Sequence, residues 1–428
     1  MSTQGEPAAG PERAGSPLRT GTGFALVTVA TFLMVSGVAL LAPGLPQLAD
    51  SRGLTVAESG WVLSAFALGR LLFSIPGGLL ADRLGFARAA TTGCLLTVGG
   101  AVAAGLEPPL WALLSAQIVQ GAGSAVHNTA ALSSIIAALP DGRMARFLSL
   151  HQGVVLLGVS LSPVMGGVAV TAWGVTGPFW FYAATAVVSL LLSLVAILVL
   201  PGLAHAHPSG EAVPRRGPLS RLMTNRSFAV SLCVTFVLFW MVAGLRNTAV
   251  PVLARDDLGY SALLVGLLLG AAAVANGICL FVAGPAADRF GRRPVLLAGT
   301  GVLCAGLAGL VVGSVAATWT GVLALGIGMG LAGAALPAIL ADVADPSIRG
   351  VAVGIHRTSS GLGLFVGPVT VGLLLQHLST ATTFGVGVVA LALSAVAVLF
   401  IPETLARAPA GPVVPPSPTP THQRQGVT

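Results

Sequence analysis

Long stretches of this chain carry no charge. No Asp, Glu, Lys or Arg falls between Arg19 and Asp50, Arg146 and Glu211, Arg293 and Asp342, or Arg357 and Glu403. A helix that crosses a bilayer needs roughly 20 apolar residues, so the first gap holds one span and each of the other three holds two. Breaking the apolar runs at Pro, Gly and charge predicts twelve helices. Six lie over 24–46, 59–81, 89–106, 110–138, 148–171 and 178–200. The other six lie over 228–253, 261–286, 294–313, 319–343, 352–376 and 381–401. Lipid offers open backbone groups no partner, so runs this apolar must be helices rather than strands. The fold class expected is an all-α integral membrane protein.

The pattern repeats at half the chain length. GGLLADRLG at Gly77 to Gly85 and AGPAADRFGRRP at Ala283 to Pro294 place Asp82 and Asp288 206 positions apart. PQLADSRGL from Pro46 and PVLARDDLG from Pro251 close the first and seventh spans. In the fifth and eleventh spans, His151 to Pro163 matches His356 to Pro368, twelve residues each at an offset of 205. Six spans per half with a common starting side make parallel repeats about an axis along the membrane normal. The expected organisation is an N-terminal segment over 1–23, a first six-helix bundle over 24–200, a cytoplasmic linker over 201–227, a second bundle over 228–402 and a tail over 403–428. The two end segments have the Gly-, Pro- and Ser-rich composition of disordered chain.

Charge then orients the spans. There is no lysine, and of the 21 arginines 16 fall on the side of the chain ends, 2 (Arg52 and Arg255) on the other side, and 3 inside spans. That bias puts both termini in the cytoplasm and the protein in the cell membrane. The net charge of +7 is accounted for by topology, and no aromatic-studded basic patch suggests nucleic acid. The first apolar run starts too late and is too long for a cleavable signal peptide. Cys94, Cys233, Cys279 and Cys304 stand singly in apolar helices, which supports neither a disulfide framework nor a metal site. GMGLAG at Gly328 to Gly333 fits a dinucleotide fingerprint by letter but follows no strand, so it reads as a packing face. No motif points to an enzyme or to a cofactor.

The charged runs carry a resemblance. Gly284, Asp288, Arg289, Gly291, Arg292 and Arg293 fit the loop signature G-x-L-x-D-r-x-G-r-r, with Ala286 in place of leucine; Gly78, Leu80, Asp82, Arg83 and Gly85 fit its first-half copy, with Phe86 and Ala87 where basic residues are expected. Across roughly Phe24 to Pro402 the chain resembles the major facilitator superfamily, and within it the bacterial drug:proton antiporters. The resemblance implies two six-helix bundles, alternating access, and an Asp in each loop that latches the cytoplasmic side in the outward-open state. Asp342, ending the tenth span, is the candidate partner of Arg292 or Arg293; its counterpart is Ala137, so the first-half latch is weaker unless Asp141 and Arg88 substitute. Gly158, Ser162, Pro163, Gly166 and Gly167 approach a pattern the family associates with antiport export, with Ser162 replacing a glycine and Gly363, Gly367 and Pro368 as second-half partners. Small residues with proline allow close helix approach and a bend.

Candidate binding residues are the polar groups that an apolar span does not need. Gln117 stands where the family's R-x-x-Q-G-x-G motif has arginine, and no acid lies deep in the first, fourth or seventh span. Histidine, which titrates near neutral pH, is therefore the candidate proton carrier. His127 is mid-span, while His151 and His356 lie nearer the cytoplasm. Arg70, twelve residues before Asp82, sits ~18 Å from the loop at 1.5 Å per residue. An arginine there needs a counter-charge, carbonyls, water or substrate. Arg246 and Arg357 read as snorkelling to the outer and inner surfaces. The candidate site is Arg70, Gln120, His127, Asn128 and Asn276, the last being the repeat partner of Arg70. The function expected is proton-coupled export of a small organic molecule by a monomer. The alternatives are an organic-anion transporter, importing or exchanging, that uses Arg70 as counter-charge, and a non-transporting membrane sensor or structural protein.

Overall fold

The computed structural model describes residues 17–138, 144–200, 216–345 and 348–404. Twelve long helices run back and forth. The first bundle holds α1 (Pro17–Val35), α2 (Val56–Ala81), α3 (Arg83–Gly105), α4 (Leu110–Ala138), α5 (Met144–Trp173) and α6 (Gly177–Val199). The second holds α7 (Arg226–Asp257), α8 (Ala262–Phe290), α9 (Arg292–Val311), α10 (Val315–Val343), α11 (Arg349–His377) and α12 (Thr380–Leu399). Ten of these are long and apolar enough to cross a membrane. The other two are α1, which breaks at Val35, and α4, which carries Gln117, Gln120, Ser124, His127 and Asn128. We call the side on which α1 begins and α12 ends the near side, and the opposite side the far side.

Local chemistry sets the helix starts. Thr55 opens α2 with a reciprocal capping box, Glu58 N–H to Thr55 Oγ1 at 3.2 Å and Thr55 N–H to Glu58 Oε2 at 2.8 Å. At the equivalent point Ser261 Oγ takes the N–H of Leu264 at 3.3 Å to start α8, each satisfying donors that a helix leaves open. α3 carries one non-helical residue near its start, Gly85 (φ 74°, ψ 167°), and α8 passes into α9 through Gly291 (φ 107°, ψ 156°). Both values fall where side chains are strained, which accounts for the glycine in each copy of the charged run.

Three elements differ from the sequence expectation. α1 starts at Pro17, inside the segment read as disordered, and the first span is not continuous to 46: it unwinds through short 3-10 turns at Ser36–Val38 and Ala42–Gly44 into a separate helix, Leu45–Arg52. Pro43 and Pro46 lack donors, and Gly37 lies under the Tyr182 ring, where a Cβ would be 2.2 Å from Cζ. In the linker, Arg216–Thr224 is a helix. α7 contains π-helical turns at Met241–Ala249 and Leu253–Asp257 on either side of Pro251. The expected termini over 1–16 and 405–428 lie outside the described residues.

The bundles meet through two crossings, α2 with α11 and α5 with α8. A Cβ at Gly60 would lie 2.3 Å from the Pro368 carbonyl oxygen, and one at Gly266 would lie 2.5 Å from that of Pro163. One turn farther out, Gly372 sits on Val56 and Ala57 as Gly167 sits on Ala262 and Leu263. These are the same contacts related by the repeat. Without a hydrophobic driving force between helices in lipid, such close backbone approach supplies the packing. The crossings differ in one place: Ser64 Oγ donates to the Phe365 carbonyl at 2.7 Å, whereas its counterpart Gly270 packs on Val164. At the far edge Asp50 and Arg255, themselves repeat counterparts, form an ion pair with Oδ2 and Nη1 2.5 Å apart. Both crossings lie in the far half of the molecule.

Candidate functional site

Between the bundles lies a cavity of about 290 Å³, closed by these crossings and reaching toward the near side as far as Leu132 and His151. Helical spacing selects its walls. On α2, Phe66, Ala67, Arg70, Leu71 and Ser74 form one stripe; on α4, Ala125, Asn128, Thr129 and Leu132 form another; on α11, Arg357, Ser360, Gly361 and Leu364 form a third. Steps of three and four residues keep each set on one face.

Two of the sequence candidates, Arg70 and Asn128, line this cavity. Arg70 Nη1 donates to Ser124 Oγ at 2.7 Å, and Ser124 Oγ donates to the Met34 carbonyl at 3.3 Å. The Tyr182 hydroxyl donates to the same carbonyl at 2.9 Å. Met34 is where α1 unwinds, so its oxygen is free to accept, and the network fixes the guanidinium against the first bundle.

The other three are elsewhere. Gln120 is buried inside the first bundle, donating to Gln117 Oε1 at 2.6 Å and to the Gly100 carbonyl at 3.2 Å. Gln117 Nε2 in turn donates to the Val62 carbonyl at 3.4 Å. His127 is fully buried, with Nε2 3.2 Å from Ser193 Oγ and 3.5 Å from Ser189 Oγ on α6. One residue before Asn128, it is rotated by about 100° away from the cavity. Asn276 is half-buried and does not line the cavity.

Several polar cavity groups stand outside the candidate site expected from sequence. His151 lines the cavity and pairs through Nδ1 with Thr28 Oγ1 on α1 at 3.1 Å; His356 makes the matching contact, Nε2 to Thr235 Oγ1 on α7 at 3.0 Å. Gln152 and Asn247 also line it. Arg357 faces the cavity instead of only reaching for the inner surface, and Arg246 is buried rather than extended to the outer one. The π-helical turns of α7 carry Arg246 inward, where its Nε donates to Asn247 Oδ1 at 3.2 Å.

The near-side loop of the second bundle is a cluster of charges. Arg292 pairs with Asp288 and places Nε 3.4 Å from Asp342 Oδ2. Glu403 accepts the backbone N–H groups of Arg292 at 2.8 Å and Arg293 at 3.0 Å, capping α9 with a carboxylate as the helix dipole favours. Arg293 Nη2 donates to the Leu399 carbonyl at 2.6 Å, and Arg289 lies over Phe290 at 5.4 Å. All these contacts join the ends of α8, α9, α10 and α12 within one bundle, and in this arrangement they tie helix ends of one half together. A Cβ at Gly284 would meet nothing within 4 Å, and one at Gly78 would lie 3.3 Å from Thr129. In the first half Arg83 and Arg88 are exposed and form no ion pair among the described residues. The side chains of Asp82 and Ala137, and all of Asp141, lie outside the described residues.

The glycine-proline runs pack within bundles as well as between them. Cβ atoms at Gly158 and Gly166 would lie 2.9 Å from the Phe32 carbonyl and 1.8 Å from that of Leu40; at Gly363 and Gly367 they would lie 2.5 Å from the Phe236 carbonyl and 2.7 Å from that of Trp240. Ser162, the departure from the glycine pattern, has a specific partner. Its hydroxyl donates to the Ser36 carbonyl and accepts the Ala39 N–H at 3.1 Å, holding the unwound end of α1.

The profile of the Major Facilitator Superfamily matches residues 27–245 and 232–424. The chain belongs to that family. Among curated relatives, it is 25% identical over 415 residues to the multidrug resistance protein Stp of Mycobacterium tuberculosis, covering 84% of this chain and 76% of Stp. It is 22% identical to an uncharacterized MFS-type transporter of Methanocaldococcus jannaschii, covering 84% and 92%. It is also 27% identical to the multidrug resistance protein MdtL of Escherichia coli, covering 55% and 58%. Among solved structures, the nucleoside transporter NupG aligns with a TM-score of 0.72 at 15% identity, covering 88% of this chain and 99% of that one. A bacterial homolog of the human lysosomal transporter Spinster, solved inward-facing and unoccupied, aligns at 0.66 and 17%, covering 90% and 95%. This facilitator is thus a multi-pass membrane transporter with the twelve-helix fold of its family, and not an enzyme. The two crossings bring the bundles into close backbone contact at the far end of the central cavity.

Proposed function

We propose that this facilitator exports a small organic molecule from the cytoplasm by rocking its two bundles about the central cavity. The observation that carries the reading is the cavity itself, walled by polar and apolar groups from both halves, with the bundles in close backbone contact at its far end and its walls extending toward the side that the arginine bias assigns to the cytoplasm. The multidrug resistance names of Stp and MdtL support export over import. Proton exchange is the coupling we infer, acting in a monomer in the cell membrane. His151, which lines the cavity and touches α1, is in a better position than His127 to carry the proton.

Accumulation of a panel of dyes and antibiotics in an efflux-deficient bacterial host tests the reading. Expression is expected to lower accumulation of at least one compound, and collapse of the pH gradient or His151→Gln is expected to restore it. A panel with no compound affected overturns the export reading. Efflux that survives collapse of the gradient overturns the proton coupling alone.

A further inference from the structure

We propose that the substrate is an organic anion, a carboxylate or phosphate on a small apolar body, held between Arg70 of the first bundle and Arg357 of the second. The proposal rests on the reading of the cavity as the transport site. Both arginines line that cavity, one from each wall, and like charges on one cavity repel. No Asp or Glu lines the cavity, and neither arginine has an acid within ion-pair distance among the described residues. Arginine does not shed its proton. Two uncompensated cations facing one another inside a bilayer are costly, and a bound anion removes that cost.

The remaining polar groups point the same way. Asn247 Oδ1 accepts from Arg246 Nε, and its NH2, a donor, makes no hydrogen bond among the described residues. Asn128, Gln152 and Ser360 add groups able to donate. Arg70 uses Nη1 on Ser124 and is thereby fixed in direction, whereas the Arg357 side chain is exposed and makes no hydrogen bond among the described residues, so it can close on a ligand. Leu63, Phe66, Leu71, Val155 and Leu364 supply apolar wall. A cationic ligand meets two like charges here. An anion touching both neutralises the repulsion that opposes approach of the near-side halves, so the loaded carrier closes on that side more readily than the empty one.

Equilibrium dialysis of the full-length protein in detergent tests this with four probes sharing one ring system: 2-naphthoate, 2-naphthyl phosphate, 2-naphthamide and 2-naphthylmethylammonium. The carboxylate or the phosphate is expected to bind at least ~10-fold tighter than the amide, with the cation weakest, and the pair of anions reports which headgroup the site prefers. Arg357→Gln is expected to weaken the preferred anion by ~10-fold, the effect of one charge-assisted hydrogen bond, without changing the amide. Arg70→Gln does the same where it folds, and Arg357→Gln carries the test where it does not. The proposal is overturned by equal affinity for amide and anions, by tightest binding of the cation, by binding of none of the four, or by anion affinity indifferent to Arg357→Gln. Anion binding without efflux from proteoliposomes would instead count against the export reading and leave the site assignment standing.

Discussion

The far and near ends of the cavity are built from the same repeat and held in different ways. At the far end, backbone meets backbone across the bundle boundary, Gly60 on Pro368 and Gly266 on Pro163, and the contact occurs twice because the halves are copies. At the near end, the charges of the second bundle bind one another, Arg292 to Asp288 and Asp342, and Glu403 to the start of α9. Glycine contacts between rigid bodies can separate without unfolding either body. Charge contacts within a body hold its loop in shape while it moves. The difference assigns closure to the helices and rigidity to the loops, and each half of that statement can be broken separately.

The largest effect is expected at the crossings. Gly60→Ala or Gly266→Ala puts a methyl group against a backbone carbonyl that has nowhere to move within its own helix. The bundles must part at the far end, so transport falls at least ~10-fold while the fold survives, since a bistable interface shifts as a whole. Ala39, only 2% exposed and at the cavity, reports this. In a background lacking the four native cysteines, Ala39→Cys should react with a membrane-impermeant thiol reagent from the far side at least ~10-fold faster in the glycine variants. Unchanged labelling would mean that the crossings do not seal the cavity.

Next is Gly291→Ala. Here the obstacle is the backbone, since φ is 107°, and the Glu403 carboxylate lying 2.6 Å from the added Cβ is flexible enough to move. A side chain forced into such a conformation costs about 1–3 kcal/mol. The loss should appear as a lower melting temperature of the purified protein, with far-side labelling of Ala39→Cys unaffected. A change in labelling without a change in melting would put the loop in the closure mechanism after all.

How much of this was legible in the sequence follows from the physics of each feature. The repeat, the twelve spans and the two loop glycines were readable, because charge and glycine at a fixed offset survive in an apolar background. Pro163 and Pro368 stood out, but Gly60 and Gly266 did not, being single glycines among 56. Helix phase was the main loss. In water the polar stripe marks the outer face; in lipid the outward face is apolar too, so His127 and Asn128, adjacent in sequence, gave no sign of which one meets the cavity. The stripe of Ala125, Asn128, Thr129 and Leu132 could have been phased against Arg70 had α2 and α4 been paired first. The break in α1 was written in Gly37, Pro43 and Pro46, and continuous hydrophobicity hid it.

A smaller effect is expected from the Asp50–Arg255 ion pair, which among the described residues is the ion pair that crosses the boundary. Asp50 and Arg255 are 68% and 28% exposed, and make an ion pair without an aligned hydrogen bond. An exposed pair contributes about 0.2–1 kcal/mol, a shift of roughly 1.4- to fivefold in the balance between far-closed and far-open states. Asp50→Arg should raise Ala39→Cys labelling from the far side by about that factor, Arg255→Asp likewise, and the two together should restore it. Failure of the double swap to restore would mean that the pair is incidental to closure.

The smallest contrast sharpens the comparison within the near side, between its two loops. Asp288→Asn removes one of two carboxylates on Arg292 and leaves Asp342 and the Glu403 cap in place. Arg88→Gln removes an exposed charge that forms no ion pair among the described residues. If loops serve rigidity through their internal contacts, Asp288→Asn should slow transport by about two- to fivefold, in line with ~1 kcal/mol for one partly exposed pair, and Arg88→Gln should change it by less than measurement error. The reverse ranking would place the working latch in the first half, where Phe86 and Ala87 replace the basic residues. The charge would then act on the other bundle, in the far-open state, and not on its own.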